Sequence, residues 1–177
     1  MESSLSRLAE LVRARNTVEN NVANLIEREV HLNSVGEHIA ANVFGIRLVP
    51  TTIQSGFVGI FTTPALSGKT VDIRWYPRRE SYINIHTDPA PDYSLILAGP
   101  RVEPSEARGL ANPWLLTSVY LFSMQDLLAS LRARGVRIGP RVSINSQLWE
   151  QAELFPVQRN PTLMLTDSQR QLLKLFA

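Results

Sequence analysis

The chain has 177 residues, 44% of them hydrophobic and 19% charged, with no cysteine. That length suits one domain with a sizeable core, the composition excludes a disordered or collagen-like chain, and the missing thiols exclude disulfides, thiolate zinc sites, iron–sulfur clusters and cysteine nucleophiles. The net charge of +2 is spread unevenly, −2 over residues 1–44, +1 over 45–110 and +3 over 111–177, a gradient compatible with a polyanionic partner but not demanding one.

The start, Met1-Glu2-Ser3-Ser4, has no basic region followed by an apolar run, so no secretory signal is expected and the protein is read as cytoplasmic. Leu5, Leu8, Leu11, Val12, Val18, Val22, Leu25 and Ile26 then recur at three- and four-residue spacing. They predict an N-terminal helical segment over 1–30, bent or interrupted at Asn16-Thr17. Its leucine seam offers a surface for pairing with a second copy or another protein. A second helix is expected near Ser34, where Ser34-Val35-Gly36-Glu37 fits a capping box. Ile39, Ala40, Val43 and Phe44 form its apolar face and Gly45 its stop.

From there the period changes to that of strands. Phe57 to Thr62 reads as a strand, Pro64 to Gly68 as a turn, and Thr70 to Tyr76 as a second strand with alternating Val71, Ile73 and Trp75. Tyr82 to Ile85 extends this hairpin system or forms a short strand of its own, and Tyr93 to Ala98 is an apolar run of strand length closed by Gly99-Pro100. Residues 101–113 read as a loop. Trp114 to Phe122 reads as another strand, about half the length of a membrane-spanning helix, so no membrane partner is expected. Ser123 caps a helix ending at Gly135, a short strand is possible at 136–138, Ser146 to Leu154 reads as a helix, and Thr166 caps a last one.

Several motifs reduce to ordinary structure. Ser67-Gly68-Lys69-Thr70 imitates the tail of a phosphate-binding P-loop, but Thr63 stands where the leading glycine belongs and a strand follows, so it reads as a turn. His31, His38 and His86 lack metal-ligand spacing, and no Gly-x-Ser-x-Gly elbow is present.

One constellation remains: Gly36-Glu37 opening a helix, the strand Phe57-Val58-Gly59-Ile60-Phe61, and Val71-Asp72-Ile73-Arg74-Trp75-Tyr76 on the next strand. A helix carboxylate, a hairpin, and a carboxylate-x-cation resemble the PD-(D/E)XK restriction-endonuclease-like fold. Arg78-Arg79-Glu80, Asp92-Tyr93-x-Leu95-x-Leu97-x-Gly99-Pro100 and Pro113-Trp114 extend the likeness to a bacterial family of uncharacterised proteins assigned to that fold. The resemblance covers roughly residues 30–135. It implies an α/β sandwich: a central mixed sheet of about four strands between helices, with an extra N-terminal helix, a nuclease-like core over 31–135 and a C-terminal helical extension over 136–177. Alternate residues of a strand share a face, so Asp72 and Arg74 project together. By the resemblance, Glu37 and Asp72 hold Mg²⁺, Arg74 steadies phosphate charge, and Arg78 and Arg79 grip nucleic acid.

Two departures bear on activity. The resemblance leads one to expect aspartate where Val58 stands and lysine where Arg74 stands; valine cannot ligate a metal, and arginine does not exchange a proton near neutral pH. The expected function is therefore nucleic-acid contact with an altered phosphodiesterase centre and weak or no cleavage, against a non-enzymatic interaction module on the same fold. Each residue keeps a plainer reading. Glu37 fits the capping box, Asp72 and Arg74 an ion pair along one strand face, Arg78-Arg79-Glu80 a solvated turn, Asp92 turn chemistry, and Trp114 and Tyr76 packing.

Overall fold

The computed structural model describes residues 4–50, 56–101 and 113–177. The first helix, α1 (Ser4–Ile26), runs unbroken through the expected interruption. Thr17 Oγ1 donates back to the Arg13 carbonyl at 3.1 Å, and Arg15 and Glu19 pair at 2.7 Å on the adjoining turn. The polar side chains thus find partners within the helix itself.

The next helix, α2 (Leu32–Phe44), begins earlier than Ser34 and carries a different cap. His31 Nδ1 accepts the Ser34 N–H at 3.1 Å, and Ser34 Oγ accepts the His31 N–H at 3.1 Å. The box is therefore His31 with Ser34, which corrects the expectation of Ser34 with Glu37. The Ser34 hydroxyl also donates to the Glu29 carbonyl at 2.6 Å, tying it to the chain ahead of the helix. Glu37 is left inside the helix with its carboxylate unengaged by the backbone cap. Gly45 ends α2 in the left-handed region at φ +62°, where a side chain would be strained.

The strands are β1 (Ile46–Leu48), β2 (Gly59–Phe61), β3 (Thr70–Tyr76), β4 (Tyr82–Asn84), β5 (Tyr93–Ala98), β6 (Ser118–Ser123), β7 (Arg141–Ser143) and β8 (Glu153–Phe155). Six of them form one sheet in the order β1-β2-β3-β5-β6-β8, and β4 pairs with β7 in a second. Every pairing in the large sheet is antiparallel except β3 with β5. Six strands correct the expected four, because the three-residue β1 and β8 are too short to show an alternating pattern. β8 lies where the last helical residues were expected. No strand forms at 136–138; β7 forms just beyond it, and β6 starts at Ser118 rather than Trp114. Pro64–Leu66 is a single 3₁₀ turn. Of the loop expected at 101–113, residues 102–112 lie outside the described residues.

The remaining helices are α3 (Met124–Ala133), α4 (Ser146–Ala152) and α5 (Asp167–Lys174). Ser123 Oγ caps α3 by accepting the Asp126 N–H, and Thr166 with Gln169 makes a capping box on α5. The segment 136–177 supplies strands to both sheets as well as helices. Val71, Ile73, Trp75, Leu95, Leu97, Val119 and Leu121 point to one face of the large sheet and pack with α2 and α5. Ile96, Ala98, Tyr120 and Phe122 point to the other, beneath α3, α4 and the small sheet. The result is an α/β sandwich with a mixed central sheet. Among the described residues no helix is long and apolar enough to cross a membrane.

Candidate functional site

β2 and β3 part company early. Their pairing ends at Gly59 with Val71, followed by a Val58 N–H to Val71 carbonyl bond of 2.9 Å. Farther along β3 its free edge is covered by α2, where Asn33 Oδ1 accepts the Trp75 N–H at 3.0 Å. Gly36 makes the approach feasible: a Cβ there would stand 3.1 Å from the Trp75 Cβ. This packing brings the next residue, Glu37, to the edge of the strand that carries Asp72.

Glu37 accepts from Arg28 Nη1 at 2.5 Å, with both side chains largely buried. Burial pushes the Glu37 carboxyl above its ordinary value, Arg28 pulls it back, and the Asp72 charge pushes the same way as burial. The two carboxylates therefore sense one another across the α2–β3 packing.

Asp72 is 2% exposed. One of its oxygens accepts from Arg74 Nε at 2.9 Å, while the other is buried without a hydrogen-bond partner. Burial raises its carboxyl too, against the opposing pull of the Arg74 guanidinium. Beside it, at the same register on β5, the Ser94 hydroxyl is likewise buried and unpartnered.

Arg74 leads outward from this interior pair. Its Nη2 lies 2.8 Å from His86 Nε2. A guanidinium can only donate, so in this contact the His86 Nε2 lone pair is the acceptor. Arg74 and His86 line a cavity of about 570 Å³ together with Asn84, Asp88, Ile138 and Pro140. The segment that closes its far side is arginine-rich: residues 127–149 contain Arg132, Arg134, Arg137 and Arg141 and no acidic residue.

The other expected groups sit elsewhere. Arg79 lies 5.0 Å from the Trp149 ring centre and 5.4 Å from that of Tyr120, a cation–π arrangement over buried aromatics. Arg78 is half-buried beside it. Val58 packs against the apolar core. Among the described residues no acidic residue replaces it at the centre: Asp92 accepts from Thr70 and Lys69, and Glu80 faces Arg141 at 3.7 Å. Among the described residues no three His, Asp or Glu side chains are grouped to hold a metal ion. With Glu37 and Asp72 each engaged by an arginine, this donor set does not fit a preformed Mg²⁺ site.

Two participants escaped the sequence. His86 read as a lone histidine, yet the alternation of buried Ile83 and Ile85 with outward Asn84 and His86 was the available signal. Arg28 carries no signal, because its meeting with Glu37 depends on the turn between α1 and α2. No family model and no curated protein matches this chain.

Proposed function

We propose that this chain is a protein of restriction-endonuclease-like fold that binds nucleic acid and cleaves it weakly or not at all. The observation that carries the reading is Arg74 at the wall of the 570 Å³ cavity, held by Asp72 on one side and His86 on the other. A guanidinium has five N–H groups; the Nε and Nη2 hydrogen bonds leave others for the oxygens of a phosphate. Asp72 aims the fork and neutralises part of its charge within the fold, and the Arg132–Arg141 segment supplies further positive charge. Arginine is suited to this role because its planar fork matches phosphate geometry. The same pairing argues for poor cleavage: the carboxylate that should hold a metal is occupied by the cation that should meet the phosphate.

The test is binding of labelled single- and double-stranded DNA and RNA by fluorescence anisotropy, across a salt series. Binding should weaken linearly in log–log form as salt rises. An Arg74→Ala, Arg137→Ala, Arg141→Ala variant should flatten the slope by about 0.7–0.9 for each phosphate that is no longer neutralised. No binding at low salt, or binding indifferent to the triple change, would overturn the reading. Incubation of the same substrates with Mg²⁺ or Mn²⁺ should leave them intact or nearly so; rapid cutting would show that the centre is competent.

A second reading is favoured by α1. Leu8, Leu11, Val18 and Leu25 are 53–75% exposed and follow an alternating three- and four-residue repeat, with Arg15 and Val22 at the intervening places. On this reading the protein is an interaction module that pairs with a second copy through α1. Light scattering across a concentration series should show a dimer that Leu11→Glu, Val18→Glu abolishes; a concentration-independent monomer would discard the reading.

A further inference from the structure

We infer that His86 couples phosphodiester binding in the Arg74 cavity to the uptake of a proton, so that the site binds more tightly as pH falls. The inference rests on the nucleic-acid reading and adds a regulatory property to it. Its basis is the direction of one hydrogen bond. In the 2.8 Å contact between Arg74 Nη2 and His86 Nε2 the guanidinium can only donate, so the single lone pair of Nε2 is aimed at Arg74 itself.

An oxyanion seated on Arg74 changes the balance at that position. With its lone pair taken by Arg74, a neutral Nε2 offers a phosphate oxygen nothing, whereas a protonated Nε2 donates to it. Without an anion beside them, a proton on Nε2 would break the contact with Arg74 and set two cations side by side. The anion therefore favours the protonated ring, and by reciprocity the protonated ring favours the anion. Nothing but a proton moves, from solvent to Nε2.

The charged groups around His86 are of both signs. Arg74 and Asp72 face it from β3, Asp88 stands on its own segment, and Asn84 on β4 is uncharged. The opposing wall, Ile138 to Pro140, carries no charge, with Arg137 and Arg141 at its two ends. His86 is thus the group at this cavity whose type titrates between roughly pH 5 and 8. Its exposure on the cavity wall lets solvent deliver the proton.

The probe is a short labelled oligothymidylate with hydroxyl ends, whose diester phosphates keep a constant charge over this range. Its affinity for the full chain should rise about threefold to tenfold from pH ~8 to ~5.5, the scale of one unit charge a few ångströms away in a solvent-exposed cavity. Calorimetry in buffers of different ionisation enthalpy should register net proton uptake on binding. His86→Gln should lose the pH dependence at whatever affinity it retains, and the affinity of His86→Arg should not change with pH. Wild-type binding that is flat with pH, or a dependence that survives in His86→Gln, overturns the coupling and leaves nucleic-acid binding standing. Absence of binding at every pH overturns both.

Discussion

The two faces of the central sheet come from the same strands and are built to different rules. On one face, β3, β5 and β6 present Val71, Ile73, Trp75, Leu95, Leu97, Val119 and Leu121, all apolar and almost wholly buried. On the other, the intervening positions are Asp72, Arg74, Tyr76, Ser94, Ile96, Ala98, Ser118, Tyr120 and Phe122, with the charged residues gathered on β3. Period-two alternation makes the division possible: moving by one residue exchanges a position in the core for one in the site. The wholly apolar face packs one core, and Ile96, Ala98, Tyr120 and Phe122 at the β5–β6 side of the other face pack a second one. The polar face tolerates a buried carboxylate and two unsatisfied oxygens, departures from full pairing that are uncommon in native interiors.

Substitutions can break or sharpen that contrast. The largest effect belongs to the apolar face. Leu97→Ala, at a position of zero exposure, should cost about 2–5 kcal/mol of unfolding free energy in urea titrations through reduced burial and a residual cavity. A cost below about 1 kcal/mol would mean that this face is not the main core.

On the polar face, Arg74→Ala removes the partner of a buried carboxylate. The expected cost is about 1–3 kcal/mol, below that of a fully buried pair because Arg74 keeps a 29% exposed side chain. Adding Asp72→Asn to that variant should restore most of the stability. If the double variant is no better than the single one, the pair is not what stabilises this face.

The pH dependence is expected to be smaller and has a definite sign. Both Glu37 and Asp72 have carboxyls raised by burial, from ordinary values of 4.5 and 3.8. The folded state therefore holds protons that the unfolded state releases, and these groups lose stabilising power as pH rises from those ordinary values through the raised ones. Relative to Glu37→Gln, Asp72→Asn, wild-type stability should decline across that window. Chemical denaturation at closely spaced pH values would detect it, and a rising difference would contradict the burial argument.

The helix caps give a neutral control on neither face. Thr166→Ala removes the hydroxyl that accepts the Gln169 N–H and should cost about 1 kcal/mol, with Thr166→Ser recovering most of it. The smallest change is expected on α1. Leu8→Asn, at a residue 55% exposed, should change the unfolding free energy of the isolated chain by no more than about 0.5 kcal/mol. A larger drop would show that α1 is covered in solution.

Legibility in the sequence followed the same divide. β3 and β5 appear where alternation and a bounded apolar run placed them, and the Ser123 and Thr166 caps hold because a hydroxyl at a helix start has a local, repeatable geometry. β1, β7 and β8 escaped because three residues are too few to display a period. The cap on α2 was misplaced because histidine is not among the usual capping types, and only the chain path shows that its ring meets Ser34. Asp72 and Arg74 share a face by spacing alone. That Glu37 meets Arg28, that Arg74 meets His86, and that Arg79 lies over Tyr120 and Trp149 depend on turns whose directions no short-range pattern specifies.

What the sequence determined by itself is local: which residues favour helix or strand, where several elements begin, and which side chains lie together along one element. The tertiary structure decided which charges become partners and which remain free to act. An ion pair forms only when the backbone brings two groups within a few ångströms, and burial then sets how much each charge must be compensated. The separation of β2 from β3, the close packing of Gly36 on Trp75, and the bend that carries His86 to Arg74 made those choices here.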